Sequence, residues 1–273
     1  METLLTFVAP VRHPENARDW PAAKAKLTQT LASIAAQTDP RWRCVVVANH
    51  GADLPATPPG VEILRVDFPP NPHHERRGLD AERFYDAFRL DKGRRVHAGF
   101  RQVRDTAFYM IVDDDDLVSN RLVEFVARNA QANGWYIDNG YVWGSGGRWL
   151  YAVDRFNELC GTSLIVRRDL YDLPERFEAA SARTIGDMLG SHWRIRERLA
   201  ACGQPLAPLP FRGAVYRVGH EGSHSLSPGL VGFFLERHAP QGGLRDRLRA
   251  LWKHGAKFRP LGRRAAREYF AAP

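Results

Sequence analysis

The chain opens on a nearly unbroken apolar run, LLTFVAPV (Leu4 to Val11), bounded by Pro10 and Pro14. A run of this length and composition predicts a strand. Leu27, Leu31 and Ile34 then recur at helical spacing within an alanine-rich stretch that ends before Asp39-Pro40. That predicts a helix of about four turns. RCVVVAN reads as a second strand buried on both faces, and VEILRVD (Val61 to Asp67) as a third, alternating one. The proline- and charge-rich PPNPHHERRGLD leads into helical-looking segments ending near Val103, and AFYMIV is the fourth strand. Beyond Leu117 the pattern changes. A helix with Leu122, Val126 and Ala130 on one face closes at Gly134, and GYVW, RWLYAV and TSLIVR are short strand-like pieces. GDMLGSHWRIRERLAACG predicts one more helix, with Asp187 in its N-cap or first turn and a stop at Gly203, before the strand AVYRV and the loop GHEGSHS.

Strands alternating with helices predict an α/β fold whose first half is mostly parallel and whose second half is mixed. Ligands of such sheets bind beyond the carboxyl ends of the strands. Arg12 follows the first strand, Asn49 the second, and four consecutive aspartates, Asp113 to Asp116, follow the fourth, so three loops share one rim. Two like charges about 4 Å apart repel by roughly 1 kcal/mol in water and about 4 kcal/mol near a protein surface, so the run calls for a partner of opposite sign. Clustered carboxylates on a strand end suit a hard divalent ion such as Mn²⁺ or Mg²⁺, which often bridges protein to a substrate phosphate. The alternative is a solvated loop whose last members favour the start of the helix that begins near Leu117.

Composition narrows the class. The 273 residues are 44% hydrophobic and 11% aromatic, enough for a substantial core. No apolar run approaches the roughly 20 residues of a membrane-spanning helix. The start METLLTF lacks an export signal, which places the chain in the cytoplasm. Cys44, Cys160 and Cys202 have no metal-ligand spacing and are expected to be buried small hydrophobes. The net charge of +8 sits almost wholly in residues 242–273, where nine Lys or Arg face only Asp246 and Glu268. The first 241 residues are close to neutral, which argues against a nucleic-acid groove. In the tail, Leu244, Leu248, Leu251 and Trp252 share one helical face among basic residues. Two readings of it are open: contact with an anionic membrane surface, or a helix docked on the main domain with its basic face in solvent.

The stretch FYMIVDDDDLVSNRLVE resembles the strand, D-x-D-D motif and following helix of the family 2 glycosyltransferases. LTFVAPVRHP, CVVVANHGAD, DKGRRVHAGFRQV, CGTSLIVRRDLY, TIGDMLGSHW and YRVGHEGSHS are similar to further segments of that family, in the same order, over roughly residues 3 to 230. The resemblance implies the GT-A (nucleotide-diphospho-sugar transferase) fold, a single Rossmann-like domain with a mixed central sheet over residues 1–241. It also implies inverting, metal-dependent transfer of a sugar from a nucleotide-diphospho-sugar to a hydroxyl on a saccharide or lipid-linked acceptor, while the charge distribution implies no nucleic-acid partner. The chain would then work in the cytoplasm, on the inner face of the membrane where the basic tail binds it.

Residue by residue, Asp113 and Asp115 match the outer members of the motif and would hold the nucleotide ribose and the metal, with Asp114 at the nucleotide-sugar and Asp116 a further metal ligand close by. Pro10, Arg12 and Asn49 would line the base and ribose pocket, and Lys92 would face the diphosphate. Asn49 departs from the family, since Ala48 and Asn49 stand where an acidic pair is usual, and an ordinary turn role remains open for it. Asp187 matches the catalytic acidic residue and would take the proton from the acceptor hydroxyl, with a plain helix cap as the alternative. His220 matches a late histidine that contacts metal or diphosphate, and His224 could replace it. Trp193, His192 and the residues near Asn157 are candidate acceptor contacts, with a core role equally open for Trp193. Two competing functions are an aspartate-nucleophile phosphatase, disfavoured by the roughly 100 residues that precede the motif, and a non-catalytic binder of membrane surfaces or sugar nucleotides.

Overall fold

The computed structural model describes residues 2–74, 80–171, 173, 176, 179, 181, 185–186, 188–219, 229–239 and 242–272. The first half runs β1 (Thr3–Pro10), α1 (Trp20–Ala35), β2 (Trp42–Asn49), β3 (Val61–Val66), α2 (Ala81–Gln102), β4 (Thr106–Ile111), β5 (Leu117–Val118) and α3 (Leu122–Arg128). The second half continues β6 (Gly134–Tyr136), β7 (Asn139–Gly144), β8 (Trp149–Asp154), β9 (Leu164–Arg167), α4 (His192–Ala201), β10 (Ala207–Pro208), β11 (Ala214–Val218), α5 (Leu230–His238), α6 (Leu244–His254), β12 (Phe258–Pro260) and α7 (Arg263–Phe270).

Among the described residues the strands form two sheets, one in the order β10-β6-β9-β4-β1-β2-β3 and one in the order β12-β8-β7-β11-β5. In the first, β3, β2, β1 and β4 are mutually parallel, and β9 pairs antiparallel with β4 and β6. This is the expected α/β, Rossmann-like class with a mixed central sheet. Strand periodicity explains why β1 and β2 read as continuous apolar runs. Leu5, Phe7, Cys44 and Val46 point to one face, packed with Leu27, Leu31 and Ile34 of α1, while Val8, Val45 and Val47 point to the other, packed with Val96 and Phe100 of α2. Gly99 lets α2 approach closely, because a Cβ there would lie 2.6 Å from Val8 Cγ1.

The register matters for the site. Pro10 of β1 pairs with Val47, and Val8 with Ile111, so β1, β2 and β4 end together on one rim. β4 and β5 belong to different sheets, and the four aspartates form the turn between them. The second sheet closes over a smaller core of Leu117, Trp143, Leu150, Val215 and Tyr269. β12 pairs antiparallel with β8, and Tyr269 of α7 is buried and donates its hydroxyl proton to the Arg212 carbonyl at 2.6 Å.

Three expectations need correction, the first being that α3 stops at Arg128, short of Ala130 and Gly134. The helix expected from Asp187 to Gly203 is interrupted: Gly190 lies so close to α2 that a Cβ would come 2.1 Å from the Arg89 carbonyl oxygen, Ser191 is extended, and α4 starts only at His192. The end is as expected, with Gly203 in the left-handed region at φ 73°. Cys44 and Cys160 are buried, but Cys202 is exposed. No helix among the described residues is long and apolar enough to cross a membrane.

Candidate active site

The turn after β4 is closed by Asp116 N–H donating to the Asp113 carbonyl at 3.2 Å, and its four carboxylates diverge into four environments. Asp113 pairs with Lys92, and its N–H donates to Thr162 Oγ1 at 2.8 Å. Gly161 makes room for this pair, since a Cβ there would come within 2.7 Å of both Asp113 Oδ2 and Lys92 Nζ. Asp114 lies 3.9 Å from Arg12 Nε. Asp115 borders the cavity described below, and its carbonyl accepts from Arg217 Nε at 2.8 Å.

Asp116 turns inward. It is 1% exposed and accepts from Thr162 Oγ1 at 2.6 Å, Cys160 Sγ at 3.0 Å and Arg217 N–H at 3.4 Å. Burial, reinforced by Asp115 and Asp113, holds its carboxyl well above the ordinary range. Expected as a metal ligand, Asp116 instead ties the turn to the segment after Cys160, because the bend into β5 aims its side chain at the core.

A cavity of about 300 Å³ opens where the ends of β1 and β4 meet α2. Pro10, Arg12, Lys92, Asp113, Asp114 and Asp115 line it, so the structure brings together six of the predicted nucleotide-site and metal residues. Tyr85, Phe88, Arg89, Lys92 and Arg95 reach it from one stripe of α2 at helical spacing. Burial alone would lower Lys92, but Asp113 outweighs it and the ammonium is held above its usual range. Arg12 follows the same logic, with burial outweighed by Asp114, Asp115 and Asp113. Asp114 is raised by burial and by its two neighbouring aspartates despite Arg12.

Asn49 stands behind this wall. It is 3% exposed, donates to the Phe68 carbonyl at 2.6 Å and accepts from Arg95 Nη1 at 2.8 Å. Its place at the end of β2 is as expected, but its polar groups hold Arg95 rather than face the cavity. Arg95 also bonds Asp91 through Nε at 3.2 Å, and its Nη2 has no hydrogen-bond partner among the described residues. His192, the first residue of α4, borders the cavity as well. Burial, with the nearby charges of Lys92 and Arg89, pushes it down to about 4, so the imidazole is neutral at neutral pH. Asp187, His220 and His224 lie outside the described residues.

Arg12, Arg89, Lys92 and Arg95 oppose Asp91, Asp113, Asp114 and Asp115 around this cavity. Among the described residues no group of three or more His, Cys, Asp or Glu is arranged to hold an ion. Two carboxylates bordering one cavity, Asp113 and Asp115, nonetheless match what Mg²⁺ takes from a protein when substrate phosphates and water complete its shell. The donor set therefore fits a divalent ion shared with a ligand, and not one caged by protein alone. Residues that sequence reasoning missed are Arg89 and Arg95, whose spacing with Lys92 was the available signal, and Thr162, Cys160 and Arg217, for which sequence offers none.

No family model and no curated protein matches the sequence. Among solved structures the chain is similar to S. aureus TarS 1-349, with 14% identity and a TM-score of 0.46 over 85% of this chain and 62% of that one. A longer S. aureus TarS chain matches with 13% identity and a TM-score of 0.46 over 93% of this chain, which spans 43% of that length. Rv0371c from Mycobacterium tuberculosis H37Rv, in complex with manganese, matches with 11% identity and a TM-score of 0.39 over 79% of this chain and 92% of its own.

Proposed function

We propose that the chain is a glycosyltransferase that moves a sugar from a nucleotide-diphospho-sugar to a hydroxyl on a saccharide or lipid-linked acceptor, with inversion and with Mn²⁺ or Mg²⁺ as cofactor. The observation that carries this reading is a single cavity in which Asp113 and Asp115, at the end of β4, meet Arg12 after β1 and Arg89, Lys92 and Arg95 of α2. When bound, the ion held by Asp113 and Asp115 supplies Lewis-acid stabilisation of the departing diphosphate. Lys92, oriented by Asp113, would add fixed positive charge on the same cavity wall, and charge positioned in advance is worth more in such a site than in water. Pro10 and Arg12 bind the nucleoside side, with Asp114 holding Arg12 in place.

Asp187 is the proposed general base for the acceptor hydroxyl, a role worth on the order of 10²- to 10⁴-fold in rate. His220 is the proposed additional contact to metal or diphosphate. Residues 1–241 form the catalytic domain in this reading, with 242–273 a basic appendage, and the chain works in the cytoplasm on the inner face of the membrane.

The test is incubation with a panel of nucleotide sugars, an acceptor panel and Mn²⁺. Release of nucleoside diphosphate coupled to product supports the reading. Phosphate release from monoesters would replace it with the phosphatase, and neither activity would replace it with a binding protein. Asp187→Asn separates the base from a cap, because asparagine still caps a helix: turnover should collapse while donor binding and melting temperature persist.

A further inference from the structure

The helix α6 turns its apolar side away from the protein. At about 100° per residue, Leu244, Leu248, Leu251 and Trp252 fall within an arc of about 100°. They are 74, 57, 48 and 89% exposed. The side that packs is another one, centred about 130° away: Ala250 is buried, and the His254 ring stacks on His238 of α5 with centroids 4.0 Å apart. Arg247 borders the apolar arc on one edge and Arg245 and Arg249 on the other, while Asp246, the acidic residue of this helix, falls on the far side.

The rest of the tail fixes that orientation. α6 packs on α5, β12 is hydrogen-bonded to β8, and α7 is anchored by buried Tyr269 and by Glu268, which accepts from Ser119 Oγ at 2.7 Å. The tail is thus docked through β12 and α7, and the docking leaves the leucines and Trp252 in solvent instead of covering them.

We propose that α6 is an interfacial helix that lays Leu244, Leu248, Leu251 and Trp252 into the headgroup boundary of an anionic lipid surface, with Arg245, Arg247 and Arg249 at the phosphates. An apolar stripe carrying a tryptophan and edged by arginines is complementary to that surface in both polarity and charge. A nucleic acid would answer the arginines but not the leucines, and an ordinary protein face would answer the leucines but not the positive charge. The assignment rests on the tail geometry alone and holds or fails independently of sugar transfer.

The experiment is flotation of the full chain with vesicles of phosphatidylcholine, with and without about 30% phosphatidylglycerol, a content chosen to give a strongly negative surface. The wild type is expected to float with the anionic vesicles only. Leu248→Ser/Trp252→Ser, which changes no charge, should lower the partition coefficient by about tenfold or more. Arg245→Gln/Arg249→Gln should lower it by roughly 30-fold, at ~1 kcal/mol per basic residue. Both pairs are solvent-exposed, so their melting temperatures should match the wild type, and a variant that melts early is replaced by Leu244→Ser/Leu251→Ser. A wild type that stays at the bottom, a serine pair that floats unchanged, or equal flotation with neutral vesicles overturns the proposal. So does a wild-type dimer that the serine pair converts to monomer without any flotation, which would make this face an interface between copies of the chain.

Discussion

Replacing Asp116 by alanine decides between the role its sequence context implies and the one its surroundings give it. The substitution deletes a carboxylate that is 1% exposed and accepts from Thr162 Oγ1, Cys160 Sγ and Arg217 N–H. Stranding the Thr162 hydroxyl and the Arg217 amide in a buried site costs roughly 1–3 kcal/mol each, and the thiol, a weak donor, adds little. Arg217, itself 2% exposed, keeps the Asp115 carbonyl and the face of Trp143 but loses a nearby countercharge. Against this, removing one of four adjacent carboxylates relieves repulsion from Asp115 and Asp113. The net expectation is a loss of about 2–4 kcal/mol, which for a chain of this size lowers the melting temperature by roughly 5–15 °C.

The measurement is urea and thermal unfolding beside Mn²⁺-dependent nucleotide binding by calorimetry. Because the folded pKa lies above the ordinary 3.8, the folded state holds this proton more tightly than the unfolded chain. The gap between wild type and Asp116→Ala should therefore widen as pH falls from neutral toward 3.8. A variant with wild-type stability that has lost Mn²⁺-dependent binding would refute the reasoning and return Asp116 to the metal.

Asp115→Asn, on the cavity wall, should show the opposite pattern, with stability within about 0.5 kcal/mol of wild type and turnover lower by 10²-fold or more, on the scale of losing one electrostatic stabiliser; unfolding curves and donor-panel kinetics on the same preparation check it. Gly190→Ala would set a Cβ 2.1 Å from the Arg89 carbonyl oxygen, so backbone must move. The expected cost is about 1–3 kcal/mol, read by urea unfolding, with a raised donor KM because Arg89 and His192 border the cavity. His238 is lowered to about 4 by burial first and by His254 and nearby basic residues after it. Its contribution is full above the ordinary 6.5 and is lost as pH falls from 6.5 toward 4, so melting temperatures across that window should fall more steeply for the wild type than for His238→Phe.

What could be read from the sequence, and what could not, divides by the range of the interaction that decides each feature. β1, α1, β2, β3 and β4 were legible because strand and helix periods are local, and both faces of β1 and β2 are apolar for a reason that composition records. The break at Gly190 was not legible, since it depends on the carbonyl of Arg89, about 100 residues earlier in the chain. Nor was the tail's double character, because β12 pairs with β8 across another long separation, and that pairing determines which side of α6 faces out.

The aspartate run shows the same division inside four residues. Their adjacency looked like a single ligand set, yet a turn that passes the chain from one sheet to the other sends successive side chains in different directions. Repulsion is then met by separate partners: Lys92 for Asp113, Arg12 for Asp114, and Thr162, Cys160 and the Arg217 amide for Asp116. Asp113, Asp114 and Asp115 stay on the cavity wall. Asp116 makes that placement possible by fixing the turn to Thr162, whose hydroxyl also receives the Asp113 N–H. The chemistry of the rim thus depends on a buried carboxylate that need not touch the ligand, and a motif read from spacing alone has no means of separating the residue that holds from the residues that are held.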